Sequence, residues 1–291
     1  MRRLLPIIIL AVLVVVIGLT QYGPFVKKQA PLEGRLLKVH FIDAGQGDSI
    51  LVQTPDGRNV LVDAGDEGSG DTVVRYLLSK DVHRIDLLVI THTHSDHIGG
   101  LPRVLDEFGV SRVLDAGYPH GSRTYRDVLS IIESRKIDYK AIQDFRKPEV
   151  GTTVGFDVLW PPPNYQVGRE SELNNGSIVL RLSYGTVSAL LTGDIQDETE
   201  GRLLADRQDL RSTILKVAHH GSEYSTSNEF LQVVKPDFAV ISVGKGNDYG
   251  HPAKETLERL AAAGAQVFRT DENGSVVCTS DGTNVQVSTE R

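Results

Sequence analysis

A short stretch rich in histidine, from His92 to His97, constrains this chain more than any other feature of its sequence. It reads His-Thr-His-Ser-Asp-His and follows the apolar run Leu87 to Ile90, so a buried strand should end just before it. His92 and His94 are two residues apart and would project from the same face of an extended chain. Three imidazoles and a carboxylate within six residues are costly to crowd together unless a divalent metal binds them. Because these four groups cannot share one tetrahedral ion that keeps a position open for water, the pattern predicts two adjacent metal sites.

Composition limits the other chemistry open to the chain. With 291 residues, 40% of them hydrophobic and 24% charged, the chain has the composition of a folded globular protein. Its formal net charge of −7 gives no general attraction for nucleic acid, so a polyanionic substrate would have to be held locally, by metals or by a basic patch. Cys278 is the only cysteine, which excludes an intramolecular disulfide and removes thiolate metal ligands from consideration.

The N-terminal segment, residues 1–22, predicts a membrane anchor or a signal peptide rather than part of the fold. Two arginines precede the uncharged 17-residue run Leu4 to Thr20, which is at the lower limit for spanning about 30 Å of hydrocarbon. The absence of a convincing small-x-small cleavage site favours a single-pass anchor, followed by a linker over residues 23–35. The arginines predict an extracytoplasmic domain at the cell membrane, or a secreted one after cleavage, although Lys27 and Lys28 weaken this orientation.

Short apolar strands alternate with helices from Leu36 to the end of the chain. The run Ile50 to Val62 predicts a hairpin, and Asp71 to Ser79 predicts an amphipathic helix. From Gly155 strands and turns predominate before helices return. Strands with helices in both halves, and no internal linker, predict one α/β domain over residues 36–291, in which two sheets pack face to face and helices flank them.

Three later loops repeat the pattern of polar groups after an apolar strand. Asp194, the pair His219 and His220, and His251 each follow a predicted buried strand. Together with the first stretch, these loops contain six of the nine histidines. Chance would not sort the histidines in this way, so the loops are predicted to meet at one site.

These residues resemble the metallo-β-lactamase superfamily, whose signature His-x-His-x-Asp-His is matched from His92 to His97. More closely, the chain from Leu36 to Ser288 is similar to the soluble C-terminal domain of ComEC-type competence DNA-uptake proteins. The segments that carry this similarity are Asp43 to Ser49, Asn174 to Ser177, Leu191 to Asp194, His219 to Ser222 and Gly250 to Pro252. The resemblance implies an αββα metallo-β-lactamase sandwich with metals at one edge between the sheets. A single N-terminal helix would stand in place of a multi-spanning channel, so transport is not expected.

The resemblance also implies a ligand set for two divalent ions, Zn²⁺ or Mn²⁺. The expected metal ligands are His92, His94, Asp96, His97, Asp194 and His220. The first two would hold one ion, Asp194 would bridge, and the other three would hold the second ion. Spacing alone leaves open whether His219 or His220 binds metal, and we favour His220. Four residues expected to support these ligands without binding metal are Asp43, Asp48, Asp63 and Asn175, of which Asp63 would orient a ligand histidine.

The chain departs from the superfamily pattern at one position. Many members carry a further histidine upstream of the bridging aspartate, whereas this region offers Asn174, Asn175 and Ser177. The first metal position is therefore expected to be poor in ligands, with weak occupancy or a preference for Mn²⁺ over Zn²⁺, because an amide or water oxygen is a harder ligand than imidazole. His120 is the only histidine between His97 and Asp194, but it is far from the expected position.

The chemistry implied is hydrolysis by a metal-bound hydroxide, since a divalent metal lowers the pKa of its bound water to about 7. The expected catalytic residues are His219, His251 and Asp96. His219 would donate a proton to the leaving oxygen, and His251 would lie near the phosphate or complete the metal shell. Two cations suit a negatively charged ester, such as a phosphodiester, which an acidic protein would otherwise repel.

The leading hypothesis is a membrane-anchored or secreted phosphodiesterase, including a nuclease that acts on DNA outside the cell. One alternative is hydrolysis of another exported substrate, a teichoic-acid phosphocholine ester or a β-lactam, since one fold hosts many chemistries. The segments Asn174 to Ser177 and His219 to Ser222 differ from the β-lactamase pattern. Another alternative is a metal-stabilised, non-catalytic module that binds a surface polymer, although structural zinc sites normally close their coordination. No protein partner is inferred.

Overall fold

The computed structural model describes residues 34–142, 148–169 and 172–291. The expected anchor, residues 1–22, and all but the end of the expected linker, residues 23–35, lie outside the described residues, so both stay predictions. Within the described ranges, none of the helices has the length and apolar character needed to cross a bilayer.

The described residues contain sixteen strands, arranged in two large sheets and one small pair. The strands are β1 (Leu37–Phe41), β2 (Ile50–Gln53), β3 (Asn59–Val62), β4 (Arg84–Ile85), β5 (Leu87–Ile90), β6 (Gly109–Val110), β7 (Arg112–Asp115), β8 (Asp138–Ala141), β9 (Gly155–Trp160), β10 (Val179–Tyr184), β11 (Val187–Leu191), β12 (Ile214–Lys216), β13 (Phe238–Ile241), β14 (Gln266–Arg269), β15 (Val276–Ser280) and β16 (Val285–Thr289). The first sheet has the order β16-β15-β1-β2-β3-β5-β7-β8, the second has the order β14-β13-β12-β11-β10-β9, and β4 pairs with β6.

Parallel pairing gathers the polar loops at one edge of each sheet. In the first sheet β3, β5 and β7 are parallel, so Asp63 after β3 and the histidine stretch after β5 leave the sheet at the same edge. In the second sheet β11, β12 and β13 are parallel, so Asp194 and the pair His219 and His220 likewise emerge together. The strand order therefore explains why ligands distant in the sequence can meet.

Eight α-helices occur in the described residues. They are α1 (Gly70–Ser79), α2 (Ser95–Ile98), α3 (Leu101–Glu107), α4 (Arg123–Ser134), α5 (Asp197–Ala205), α6 (Asn228–Val234), α7 (Lys254–Ala262) and α8 (Thr270–Asn273), and 3₁₀ turns cover Glu67–Ser69, Asn174–Gly176 and Ala218–Gly221. Serine caps begin two of them, since Ser122 accepts the backbone N–H of Tyr125 and Ser227 accepts that of Phe230, each at 3.2 Å.

Three apolar clusters define four layers. The first lies between the two sheets and combines, for example, Val62 of β3 with Ala189 of β11. The second packs α1, α3 and α4 against the outer face of the first sheet, and the third packs α5, α6 and α7 against the outer face of the second. The predicted fold class, two face-to-face sheets flanked by helices, is therefore confirmed.

The predicted elements agree with the structure to within one or two residues at most ends. The helix predicted over Asp71 to Ser79, for example, begins one residue earlier, at Gly70. The pair β4 and β6 and the helix α8 were not predicted, because elements of two to four residues are too short to display a hydrophobic period.

The loop between β1 and β2 lies directly against the histidine stretch. The backbone N–H of Asp48 donates to the backbone oxygen of Asp96 at 3.2 Å. Gly47 has a φ of 116°, and a Cβ at this position would overlap the same backbone oxygen of Asp96. Glycine is therefore required where this loop crosses the histidine stretch.

We expect Gly47→Ala to lower the unfolding temperature and to displace the segment that carries Asp96. Gly57→Ala is the matched control, because Gly57 also has a positive φ, 81°, but no atom lies within 4 Å of its added Cβ. Both variants bear the cost of left-handed alanine, about 1–2 kcal/mol, so the excess loss at Gly47 reports the overlap. Thermal unfolding followed by circular dichroism measures the difference, and equal losses in the two variants would contradict the argument.

Candidate metal centre

The carboxylate of Asp194 lies buried at the centre of the site, between loops from the two sheets. Its Oδ2 is 3.2 Å from Nε2 of both His97 and His220, 3.9 Å from Nε2 of His92 and 4.0 Å from Nε2 of His219. One carboxylate oxygen from the second sheet is thus surrounded by imidazole nitrogens from both sheets.

Asp63 fixes the ring of His97. The Nδ1 N–H of His97 donates to Oδ2 of Asp63 at 2.7 Å. Thr91 donates its backbone N–H to Oδ1 of Asp63 at 2.8 Å and its hydroxyl to Oδ2 at 2.6 Å. This leaves Nε2 of His97 facing Asp194, which is how a carboxylate commonly sets the tautomer of a ligand histidine.

His220 and Asp96 meet on the other side of the Asp194 carboxylate. The Nδ1 N–H of His220 donates to the backbone oxygen of Ser242 at 2.9 Å, and Nε2 of His220 lies 3.2 Å from Oδ2 of Asp96. His219 and His220 have φ values of 48° and 53°, a tight left-handed turn in which both rings line the site. The backbone therefore presents two adjacent histidines to one cluster.

His92 and His94 lie together beside this cluster. Nε2 of His92 is 3.2 Å from Nδ1 of His94. Nδ1 of His92 is 3.3 Å from Oγ of Ser177, which accepts the backbone N–H of Asp194 at 3.1 Å. The structure thus brings together the two histidines that the family resemblance assigns to the first ion.

The residues present fit a divalent metal ion. Asp96, His97, Asp194 and His220 each offer a ligand atom, and these atoms lie within 4.8 Å of one another. Nε2 of His97 and Nε2 of His220 are buried and have no hydrogen-bond partner among the described residues. Imidazole nitrogens and carboxylate oxygens that face one point are the donor set of Zn²⁺, Mn²⁺ and similar ions.

The charges in the cluster also favour a bound cation. Burial disfavours protonation of His97, but the carboxylates of Asp194 and Asp96 outweigh it and raise the pKa of His97 well above its ordinary value. Burial likewise opposes charge on His220, but Asp194 raises its pKa to about 10. Burial acts to raise the pKa of Asp194, yet His220 and His97 hold it well below its ordinary value. A divalent ion would supply this positive charge and leave the imidazole nitrogens free to act as ligands.

Lys216 is a charged residue of the site that the sequence did not single out. Its side chain is fully buried, and Nζ lies 2.6 Å from Oδ2 of Asp48 and 3.8 Å from Oδ1 of Asp194. Nζ also donates to the backbone oxygen of Gly193 at 3.2 Å. Lys216 therefore attracts one oxygen of Asp194 and leaves the other directed at the histidines. The available signal was a lysine inside the apolar run Ile214 to Val217.

Asn174 and Asn175 have different positions. Nδ2 of Asn174 is 3.3 Å from Nε2 of His219, and its buried Oδ1 has no hydrogen-bond partner among the described residues. Asn175 is turned away, since its Oδ1 accepts the backbone N–H of Gln196 at 3.0 Å and the hydroxyl of Thr199 at 3.1 Å. Asn175 thus supports the loop that carries Asp194, and Asn174 is the amide placed beside the histidines.

The contacts of Asp43 lie outside the cluster, and its expected support of a ligand stays a prediction. Its Oδ2 is 2.6 Å from the guanidinium of Arg291, and its backbone N–H donates to Oγ of Ser275 at 3.1 Å. The carboxylate is neutralised at this junction with the C-terminal residues. Asp48, later in the same loop, is the carboxylate that faces the site, with Oδ1 3.7 Å from Nδ1 of His220.

A cleft of about 450 Å³ opens over the cluster, with His219, His251 and His120 among its walls. The ring centroids of His219 and His251 are 5.5 Å apart. Burial lowers the pKa of His219 below its ordinary value, and burial together with His219 lowers the pKa of His251 to about 4. Both rings are therefore neutral at pH 7 and can form hydrogen bonds to a molecule in the cleft.

Comparisons with known proteins agree with this geometry. A sequence profile described as the metallo-beta-lactamase superfamily matches residues 42–245. The chain is 32% identical to ComE operon protein 3 of Bacillus subtilis, in an alignment that covers 82% of this chain and 32% of that protein. It is 31% identical to competence protein ComA of Neisseria gonorrhoeae, in an alignment that covers 80% of this chain and 31% of that protein. It thus spans about a third of the length of these relatives. The solved metallo hydrolase Igni18 from Ignicoccus hospitalis, 16% identical, shares the fold with a TM-score of 0.54 over 83% of this chain and 98% of that one.

We expect Lys216→Met to lower the free energy of unfolding of the metal-free protein by about 3 kcal/mol, because it leaves two buried carboxylates without their cation. Lys254→Met is the matched control, since Lys254 is exposed and forms a surface salt bridge with Glu258 at 3.0 Å. Adding Asp48→Asn to Lys216→Met should recover part of the loss. Urea denaturation of the four proteins measures these differences, and equal stability of the two lysine variants would refute the role of Lys216.

Proposed function

The chain belongs to the metallo-β-lactamase superfamily, and we propose that it is a metal-dependent phosphodiesterase that acts on nucleic acid. The observation that carries the proposal is the buried carboxylate of Asp194 facing imidazole nitrogens from both sheets. Such a centre suits an ester that bears negative charge. When bound, the metal ions would supply Lewis acidity and an activated water.

Different side chains of the site would bind the two ions. Asp194 would bind through Oδ2, which faces the histidines, while Lys216 attracts Oδ1. His92 and His94 would hold one ion, with Oδ1 of Asn174 as an added oxygen donor. Asp96, His97 and His220 would hold the other ion, with His97 oriented by Asp63.

His219 and His251 would act on the substrate. Both rings line the cleft, and Nε2 of His219 lies 4.0 Å from Oδ2 of Asp194, within reach of a group held there. An anionic phosphate in the cleft would raise the pKa of His219 from its lowered value, because opposite charge favours the protonated ring. His219 would then give its proton to the leaving oxygen, while His251 would hold the phosphate through a hydrogen bond.

Nucleic acid is the substrate that the similarity to competence proteins supports. The ComEC-type motifs quoted from the sequence support the same class. Because this chain spans about a third of those relatives, the proposal covers hydrolysis and not transport.

We expect the full chain to cleave phosphodiesters when Mn²⁺ or Zn²⁺ is added, and Asp194→Asn to lose at least about 100-fold in kcat/KM because it removes the bridging carboxylate. Asp197→Asn is the matched control, three residues away, exposed and outside the cluster. The substrates to compare are single- and double-stranded DNA, a small chromogenic phosphodiester, a phosphocholine ester and a cephalosporin. Metal content measured by plasma mass spectrometry should fall in Asp194→Asn and not in Asp197→Asn.

Each outcome of this comparison is decisive. Cleavage of the small diester without cleavage of DNA would exclude the nuclease and leave a phosphodiesterase. Hydrolysis of the cephalosporin or the phosphocholine ester alone would overturn the proposal. Full activity and metal content in Asp194→Asn would overturn the assignment of the centre.

We further propose that the domain lies outside the cytoplasm, held at the membrane by residues 1–22. The support is the uncharged run Leu4 to Thr20 behind two arginines. Protease added to intact cells should digest the domain, whereas a cytoplasmic marker protein stays intact. Protection of the domain until the cells are broken would contradict the proposed location.

A further inference from the structure

Tyr249 presents an exposed aromatic ring at the rim of the cleft. It is 70% exposed, and it is the one Phe, Tyr or Trp among the described residues that line the cleft. Its ring stacks on the ring of His251, with centroids 5.9 Å apart and an angle of 24° between the planes. Because His251 also lies next to His219, the three rings form a row in which Tyr249 is the one farthest from the Asp194 cluster.

The loop that carries Tyr249 is held in place by Asn247. Oδ1 of Asn247 accepts the backbone N–H groups of Tyr249 at 3.1 Å and of His251 at 3.0 Å. Nδ2 of Asn247 donates to the backbone oxygens of Gly244 at 3.0 Å and of His251 at 2.6 Å. The backbone that carries the exposed ring is therefore held before any ligand arrives, which lowers the entropy cost of ordering the loop on binding.

The cleft lacks the groups that usually hold a nucleic acid backbone. Among its described lining residues there is no lysine or arginine, and Asp96 and Asp194 are carboxylates. Neutral donors such as Gln46, Ser122 and Thr124 line it instead. Affinity for a strand must then come from the metal centre and from contacts that do not depend on charge. Stacking of a base on an aromatic ring is such a contact.

We propose that Tyr249 is a platform on which an unpaired nucleobase stacks when its phosphodiester lies at the metal centre. This inference rests on the proposed function and narrows its substrate to strands or ends with an unpaired base. Tyr249 is 70% exposed although the ring of His251 lies near it, so most of its surface is open to a base. A duplex keeps its bases stacked on one another, so it would have to fray or flip a base to use this platform.

A quaternary ammonium group is the other ligand that binds aromatic rings. Such cations are usually enclosed by several aromatic faces. The described part of this cleft offers one tyrosine face. The geometry therefore favours a flat base over choline, and the experiment includes both.

The test compares Tyr249→Ala and Tyr249→Phe of the full chain on minimal substrates. These are a thymidine dinucleotide and its two analogues in which one base or the other is removed. We expect Tyr249→Ala to raise KM for the dinucleotide about 10-fold with little change in kcat, and Tyr249→Phe to leave KM unchanged because the ring remains. With the unaltered protein, one abasic analogue should show the same rise in KM. With Tyr249→Ala, the KM for that analogue should rise no further, because the substitution and the missing base remove the same contact.

Tyr224→Ala is the matched control, because Tyr224 is also exposed, at 61%, but does not line the cleft. Fluorescence anisotropy with a six-nucleotide dT strand and its abasic counterpart gives dissociation constants without cleavage. If no phosphodiester is cleaved, the proposed function fails while these constants still test the platform. Equal KM and dissociation constants for Tyr249→Ala and the unaltered protein would overturn the inference. A rise in the KM of Tyr249→Ala that is confined to a phosphocholine ester would also overturn it. Equal affinity of the unaltered protein for single strands and for blunt duplex would do the same.

Discussion

The site depends on the placement of one buried negative charge, the carboxylate of Asp194, where both sheets contribute loops. A buried carboxylate is unfavourable unless positive charge and hydrogen bonds compensate it. Lys216 compensates from one side, and the imidazoles of His97 and His220 can do so from the other only by taking up protons. A divalent ion resolves this conflict, because it satisfies the carboxylate and lets the imidazoles bind as neutral ligands. The burial of Asp194 therefore favours metal binding, because the ion supplies the positive charge that the buried carboxylate requires.

The same charges join the two sheets. Lys216 ends a strand of the second sheet, and its partner Asp48 comes from the loop between β1 and β2 of the first. That loop also contacts the histidine stretch through the backbone of Asp96. A metal ion bound by Asp194 and by His97 would tie the sheets at the same edge. Binding of the ion to the folded chain alone would then add to stability in proportion to the logarithm of its concentration above Kd.

Much of the fold and the centre could be predicted because the relevant signals are local. The histidine stretch follows an apolar strand, and a run of four to six apolar residues bounded by polar loops is recognisable as a buried strand from the sequence alone. Lys216 was not predicted, because a lysine beside an apolar strand is usually exposed and only Asp48, distant in sequence, makes its burial tolerable. Asp43 and Asp48 were not distinguished, because which carboxylate of the loop faces the site depends on how the glycines turn it. Asn174 and Asn175 differ in the same way, since a 3₁₀ turn points adjacent side chains in different directions.

The acidic character of the protein places a condition on any anionic substrate. The described lining of the cleft contains two carboxylates and no lysine or arginine, so without metal the compensating positive charge comes from the buried Lys216 and from protons on His97 and His220. Ions held by Asp194 and the histidines would add further positive charge to the cleft. Binding of metal and binding of substrate are then linked, and by reciprocity a bound phosphodiester must hold the ions more tightly. If the first metal position is poor in ligands, as expected from the sequence, it would gain most from this coupling, because the phosphate oxygens would add donors beside the amide oxygen of Asn174.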